Sequence, residues 1–310
     1  MTNAPGRVPR PDIALGMVTY NGERHVRQAI ESLLAQTWTE FRLTIVDDAS
    51  TDGTVAIAEE FAARDPRLRV VRNPRRLGYI GNSVAAFEHA ASADLFAWAS
   101  DHDVHAPEWL ETLVTGLMEL PDAVLAYPLT VRISDTGQRL DTPPPRFETR
   151  DLPRVVGALA VAGAAHGFGN MVYGLFRVPA LRAAGVMRRV LLPDTMLITE
   201  IARFGSIVQV PRELWQRRYV GLFSLERQRK TLFADVPWYA HLSPLIVNPL
   251  ILAWNVALKP GAGNMRDRWL GARMTWRFAW RGLAVATFPR IRSHRGATKA
   301  LRAVYRTLAR

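Results

Sequence analysis

The chain has 310 residues, 40 Lys and Arg against 28 Asp and Glu for a formal charge of +12, 48% hydrophobic residues and no cysteine. This apolar content over this length can bury a core, which excludes a mainly disordered chain; the missing cysteine excludes disulfides, zinc–thiolate sites, iron–sulfur clusters and thiol nucleophiles. The positive excess asks for an anionic partner, whether nucleic acid, a phosphate-bearing substrate or a membrane surface, and composition does not choose among them.

The opening MTNAPGRVPRPD has no apolar run behind its charges and is not read as a secretory signal; residues 1–10 are expected to form a flexible N-terminus. DIALGMVT, residues 12–19, reads as a buried strand, with the turn signal Tyr20-Asn21-Gly22 behind it. From Arg24 to Gln36, Val26, Ala29, Ile30, Leu33 and Leu34 recur at helical spacing. Phe41–Val46 is strand again and runs into the acidic loop Asp47-Asp48-Ala49-Ser50-Thr51-Asp52-Gly53-Thr54. A helix over 54–63 leads to a third strand, Leu68–Val71. The basic loop Asn73-Pro74-Arg75-Arg76-Leu77-Gly78 then precedes a helix expected from Asn82 to about Ala91. A fourth strand, Leu95–Ala99, ends in Ser100-Asp101-His102-Asp103. Strand and helix alternate, so this half is an α/β domain with a largely parallel sheet. Ligands of such sheets bind beyond the carboxyl ends of the strands, the edge that carries Tyr20, Asp47, Asp48, Asp101 and Asp103.

No GxGxxG follows the first strand and no GxxxxGK[ST] occurs anywhere, so dinucleotide-binding and P-loop readings fall. Two carboxylates two residues apart at a strand end, Asp101 and Asp103, can share one hard cation, which in turn neutralises a diphosphate; they can equally shape a turn or cap the helix beginning near Pro107-Glu108-Trp109. His102 and His105 are possible ligands or simply hydrogen-bonded loop residues. Asp48 can accept a hydrogen bond from a base or ribose, or shape its own turn.

The charge is unevenly placed. Residues 260–310 hold twelve Lys and Arg against the single acid Asp267, whereas residues 1–259 are nearly neutral, with 28 cations and 27 acids. A helix expected over about 267–286 sets Trp269, Trp276 and Trp280 in one stripe beside Arg273, Arg277 and Arg281, a pattern suited to a lipid headgroup boundary. The alternative is a helical appendage whose tryptophans pack on the body while its arginines face water. Before it, the 23 residues Val236–Leu258 contain no Asp, Glu, Lys or Arg, but Pro237, Pro244 and Pro249 interrupt them. They are read as interfacial or packed on the body, not as a membrane span.

The pieces VTYNGERHVRQAIESLLAQTW, FRLTIVDDASTDGT, NPRRLGYIGNSVAAFEHA, ADLFAWASDHDVHAPEWLETLV, GNMVYGLFRVPALRAAG and LLPDTMLITEIARFGSIVQVPRELWQRRYV resemble, in order and spacing, the family 2 glycosyltransferases. The resemblance covers about residues 11–225 and implies a GT-A domain there, a mostly parallel Rossmann-like sheet flanked by helices, with 226–310 a basic, Trp-rich helical region outside it. It implies that Tyr20 stacks on the nucleotide base, that Asp48 hydrogen-bonds it and that Val18 gives backbone contact. Asp101 would touch ribose or metal, Asp103 would be the direct ligand of Mg²⁺ or Mn²⁺, and Arg75, Arg76 and Asn82 would flank the diphosphate or sugar. Asp194 matches the catalytic base, although Pro193 stands where the family often has Glu; Glu200 is the alternative acid, otherwise a solvated helix residue. His166 to Met171 would line the acceptor side, and Arg217-Arg218 either close over the diphosphate or are a solvated strand end.

The implied activity is inverting transfer from a UDP-, GDP- or dTDP-sugar to an acceptor hydroxyl. The expected acceptor is a lipid-linked or cell-envelope glycan precursor, met at the cytoplasmic face of the membrane through the anionic surface that residues 260–310 would contact; no nucleic acid is expected as a partner. A soluble enzyme decorating a small molecule, or a non-catalytic sugar-nucleotide-binding relative, are the alternatives.

Overall fold

Seven consecutive buried residues, Ile13–Thr19, make strand β1. Burial on both faces is the mark of a parallel strand with helices on either side. The computed structural model describes residues 10–140, 147–164, 168–219, 224–259 and 263–287, the side chains of 168 and 284–287 excepted. The expected flexible N-terminus, His166, Gly167 and the basic residues from 288 onward lie outside the described residues, but for residue 10.

In chain order the elements are β1, α1 (Val26–Leu34), β2 (Arg42–Asp47), α2 (Thr54–Ala62), β3 (Leu68–Arg72), α3 (Gly78–Glu88), β4 (Leu95–Ser100), β5 (Val104–His105) and α4 (Trp109–Met118). There follow β6 (Ala123–Ile133), β7 (Arg139–Leu140), α5 (Arg154–Gly163), α6 (Phe168–Met171), β8 (Leu175–Arg177), α7 (Val178–Ala184), α8 (Pro193–Ile201), β9 (Ser206–Arg218) and α9 (Leu225–Leu232). A 3₁₀ turn (Trp238–His241), α10 (Pro244–Ala253), a π turn (Trp254–Leu258) and α11 (Met265–Thr287) complete the described chain.

The strands form one sheet in the order β3-β2-β1-β4-β8-β6-β9-β5, with β7 on the edge of β6. β3, β2, β1 and β4 run parallel, and β8 is antiparallel to both β4 and β6. Alternation along β1 divides the core: Ile13, Leu15 and Met17 pack with α1 and α4, whereas Ala14 and Val18 face α3 and the ring cluster of Phe87, Phe96, Trp98 and Phe176. The mixed α/β sheet with its helical C-terminal region agrees with the expected fold.

Two local expectations need correction. The helix expected from Asn82 begins four residues earlier, at Gly78, because the Asp48 carboxylate takes the N–H groups of Leu77 and Gly78 at 2.6 and 2.9 Å and caps the helix from another strand. Gly78 itself sits at φ +77°, and a Cβ there would lie 2.7 Å from the backbone of Phe233 and Ala234, so glycine is required twice over. Glu200 is not a solvated helix residue: it is 1% exposed and held by Arg188 Nε at 2.9 Å.

Among the described residues no helix is long and apolar enough to cross a membrane. The 236–258 run opens with the 3₁₀ turn behind Pro237 and then continues from Pro244 through α10 into the π turn, with Pro249 inside α10. α11 packs Leu270, Met274 and Phe278 inward and leaves Trp269, Trp276 and Trp280 exposed. The appendage reading fails for the tryptophans, which face out, and holds for Arg273, which is exposed; Arg281 turns inward, donating to the Ala164 carbonyl at 2.8 Å, with burial lowering its pKa to about 10.

Candidate active site

β1 lies between β2 and β4, so the chain leaves β1 to one side and later returns on the other. A crevice opens at that reversal, beyond the strand ends, where open α/β sheets bind ligands. Its volume is about 460 Å³, and Val18, Tyr20, Asp48, Arg76, Asn82 and Asp101 all line it. Six residues named from the sequence, from β1, α3 and the loops that follow four strands, therefore meet in one place.

The walls are more tightly built than the sequence implied. Asn21 holds φ +51°, which asparagine tolerates, and its N–H donates to Ser50 Oγ at 2.8 Å while its Oδ1 accepts from the Thr51 N–H at 2.9 Å. The β1 and β2 loops are thereby clasped. Asp48 is 2% exposed; besides the two helix N–H groups it accepts from Asn73 Nδ2 at 3.1 Å. Asn82, equally buried, accepts from the same Asn73 amide and donates to the Val46 carbonyl at 2.8 Å. Both side chains are held in the crevice wall by the fold. Tyr20 is accessible, with the Arg76 guanidinium 4.4 Å over its ring centre, and Arg76 also reaches the Lys230 carbonyl at 3.2 Å. One aromatic face is therefore already stacked.

Asp101 accepts from Thr19 Oγ1 at 2.7 Å through one oxygen and meets His102 Nδ1 at 2.7 Å through the other. Asp103 lies deeper, 1% exposed, and its Oδ1 takes the Arg218 N–H at 2.7 Å. Burial disfavours the His102 imidazolium, but the hydrogen bond to Asp101 and the charges of Asp103 and Asp101 outweigh it and raise its pKa. Burial raises the Asp103 pKa, against the pull of His102, the Arg218 N–H and Arg217. His105 is a core residue: it packs 4.5 Å from Trp109, and burial lowers its pKa to about 3, which keeps it neutral.

Asp101 and Asp103 fit a hard divalent cation in donor chemistry. Both offer carboxylate oxygens, and the His102 ring lies between them, its nitrogens 2.7 Å from Asp101 and 3.9 Å from Asp103. Among the described residues no group of three or more His, Asp or Glu could hold a metal alone.

Asp194 stands in the first turn of α8, directly after Pro193 and behind Leu192, which is held at φ +58°. A non-glycine residue there carries strain of order 1–3 kcal/mol, typical of functional turns. The Asp194 carboxyl is half-buried and accepts the Thr195 N–H at 2.9 Å. Desolvation raises its pKa, while that N–H, Arg217 and Arg281 pull it down. Gly169 makes room: a Cβ there would stand 3.0 Å from Asp194 Oδ2 and 3.5 Å from Arg217 Nη1, and Arg217 Nη1 donates to Asn170 Oδ1 at 2.9 Å. Arg217 thus belongs to the Asp194 group, while Arg218 is buried among the His102 and Ser134 carbonyls and Gln28 at 2.8–3.0 Å.

Asp103 and Asp194 are not in the crevice wall itself. Tyr79 and Tyr173 connect them to it: their hydroxyls are 3.1 Å apart, both rings line the crevice, the Asp194 charge acts on Tyr79 and the Asp103 charge on Tyr173. Sequence reasoning missed this pair; the only signals were aromatic residues inside the NPRRLGYIGN and GNMVYGLFR blocks.

Residues 15–168 match the family model described as glycosyl transferase family 2. An uncharacterized glycosyltransferase of Haemophilus influenzae is 31% identical over 107 residues, 34% of this chain and 33% of that protein. Such matches span only 33–38% of the length of the first curated relatives. The mannosyltransferase PcManGT of Pyrobaculum calidifontis, solved with GDP-Man and Mn²⁺, superposes with a TM-score of 0.54 at 18% identity, covering 92% of this chain and 88% of that one. S. aureus TarS 1–349 with UDP-GlcNAc gives 0.53 at 14% identity over 89% and 92%. At these identities the structures establish the fold, which is GT-A.

Proposed function

The chain belongs to glycosyl transferase family 2, and on that premise we propose that it moves a sugar from a nucleoside-diphosphate donor to an acceptor hydroxyl with inversion at the anomeric carbon. The observation that carries this reading is the convergence, at the sheet's switch point, of the Tyr20 and Asp48 loops with the Asp101-His102-Asp103 turn, with Asp194 reached through Tyr79 and Tyr173. UDP, GDP and dTDP are the candidate nucleotides; solved relatives of the fold hold GDP-Man or UDP-GlcNAc.

In this reading the nucleotide lies along Val18, Tyr20 and Asp101, with Asp48 and Asn82 fixing the wall behind it and Arg76 beside the diphosphate. Asp194 takes the proton of the acceptor hydroxyl, whose oxygen attacks the anomeric carbon opposite the departing diphosphate. A Mg²⁺ or Mn²⁺ held by Asp103 with Asp101 would supply charge neutralisation for that leaving group. Arg217 adds a positive charge beside Asp194 that opposes the effect of desolvation on its carboxylate.

The acceptor proposed is a lipid-linked or cell-envelope glycan precursor at the cytoplasmic face of the membrane. Support comes from the exposed apolar side chains: of the eighteen large ones among the described residues, thirteen lie between Val236 and Leu283. A thermal-shift screen of UDP-, GDP- and dTDP-sugars with Mn²⁺, followed by product analysis with the stabilising donor, tests the activity. Stabilisation by no donor would refute it.

A further inference from the structure

The anomeric carbon of a donor must lie between the leaving diphosphate and the attacking oxygen, which in the reading above puts it between Asp103 and Asp194. Two phenols occupy that stretch of the crevice. Tyr79 on α3 and Tyr173, two residues before β8, both line it, with their hydroxyls 3.1 Å apart. The Asp194 charge acts on Tyr79, the Asp103 charge on Tyr173, and Arg217 on both. The pair thus stands where a transferred sugar has to sit.

Both residues are held from behind and open toward the crevice. Tyr79 follows Gly78, whose N–H is taken by Asp48 at 2.9 Å and which lies so close to Phe233 and Ala234 that a Cβ would stand 2.7 Å from their backbone. The Tyr173 ring packs on that of the buried Trp215, with centres 5.1 Å apart. Gly174, next in the chain, lies against β6, where a Cβ would stand 2.5 Å from the Ala126 carbonyl oxygen. Each tyrosine is nevertheless only half-buried. A fixed backbone with an accessible hydroxyl is what a discriminating polar contact requires.

A phenol oxygen offers one donor and two acceptor sites. The mutual bond takes one site from each oxygen, and Ser83 is a further partner of Tyr79. Both oxygens therefore keep at least one site for a ligand, which suits a sugar hydroxyl, itself both donor and acceptor.

We propose that the Tyr79–Tyr173 pair selects the sugar: it hydrogen-bonds a ring hydroxyl of the donor hexose and favours that sugar over its deoxy analogue. This role rests on the transferase reading above and names the group that chooses the sugar within it. A site built around a substrate hydroxyl rejects the analogue lacking it, because the site's own polar atoms are then left unpaired.

The test is calorimetry with Mn²⁺ on the full chain, on Tyr79→Phe and on Tyr173→Phe. The ligands are UDP-glucose, UDP-N-acetylglucosamine, GDP-mannose and dTDP-glucose, each beside its free nucleoside diphosphate, and then the monodeoxy analogues of the donor that binds. Phenylalanine keeps each ring, and binding of the free diphosphate is the folding control; either variant that passes it suffices. The variant should lose about tenfold in affinity for the sugar donor and less than about twofold for the free diphosphate. The wild type should bind one monodeoxy analogue about tenfold more weakly than the parent donor, and the variant should bind the two alike. Undiminished donor affinity in the variants, or the wild-type preference kept among the deoxy analogues, would overturn the sugar contact and leave the transferase reading standing. Equal losses on donor and free diphosphate in both variants would make the pair structural and overturn the contact as well. No binding of any of these donors by the wild type would overturn the transferase reading and the sugar contact together.

Discussion

The backbone N–H of Arg218 donates to Asp103 Oδ1 at 2.7 Å, joining the end of β9 to the turn after β4 across 115 residues. The Arg218 side chain completes the link by donating to the His102 carbonyl at 2.9 Å. The acidic turn is thus held by a strand that enters the sheet after the Asp194 helix.

This geometry separates two variants of Asp103. Asp103→Asn keeps an oxygen for the Arg218 N–H and should fold normally while losing divalent-cation-dependent nucleoside-diphosphate binding in calorimetry. Asp103→Ala also leaves that buried N–H unpaired, and its chemical denaturation should show a further loss of about 1–3 kcal/mol.

Asp194→Asn should retain the fold and lower kcat by about 10²–10⁴, the range for removing a general base. The desolvated Asp194 titrates above the ordinary aspartate value, so kcat/KM should fall on the acid side with an apparent pKa above 3.8. Arg217 pulls that pKa down, so Arg217→Ala should move the acid limb to higher pH. An unmoved limb would remove Arg217 from this role.

Asp48→Ala leaves the N–H groups of Leu77 and Gly78 without their acceptor. A stability loss of about 1–3 kcal/mol is expected in urea, together with weaker donor binding because α3 also carries Asn82. Asp48→Ala at full stability would count against the capping role.

Burial raises the Glu200 pKa from 4.5 to about 6 despite Arg188. The folded state therefore binds this proton more tightly than the unfolded chain. Its contribution to stability is fully present below about 4.5 and is lost as pH rises through about 6. Glu200→Gln should flatten that part of the stability–pH curve. Arg188→Ala, which strands a buried carboxylate, should cost about 3–5 kcal/mol near neutral pH.

α11 offers an internal contrast. Phe278 is buried, and Phe278→Ala should cost about 3–5 kcal/mol. Trp276 and Trp280 are exposed and stacked 6.1 Å apart, so Trp276→Ala should change stability by no more than about 0.5 kcal/mol while reducing vesicle binding.

The sequence alone determined the alternation of strands and helices, the switch-point edge and the residues gathered there, because buried strands and turn signals are local patterns. It also placed the charge in the C-terminal region. Tertiary structure decided what those residues do. Asp48 caps α3 from across the sheet, and α3 begins at Gly78 because of it. Glu200 is buried because Arg188, twelve residues earlier, folds back onto α8. Tyr79 and Tyr173 meet across 94 residues, a relationship no spacing rule encodes. The tryptophan stripe of α11 was legible as a stripe, but its direction was not: helical periodicity ranks faces, and only packing against α5 and α10 chose which one would be buried.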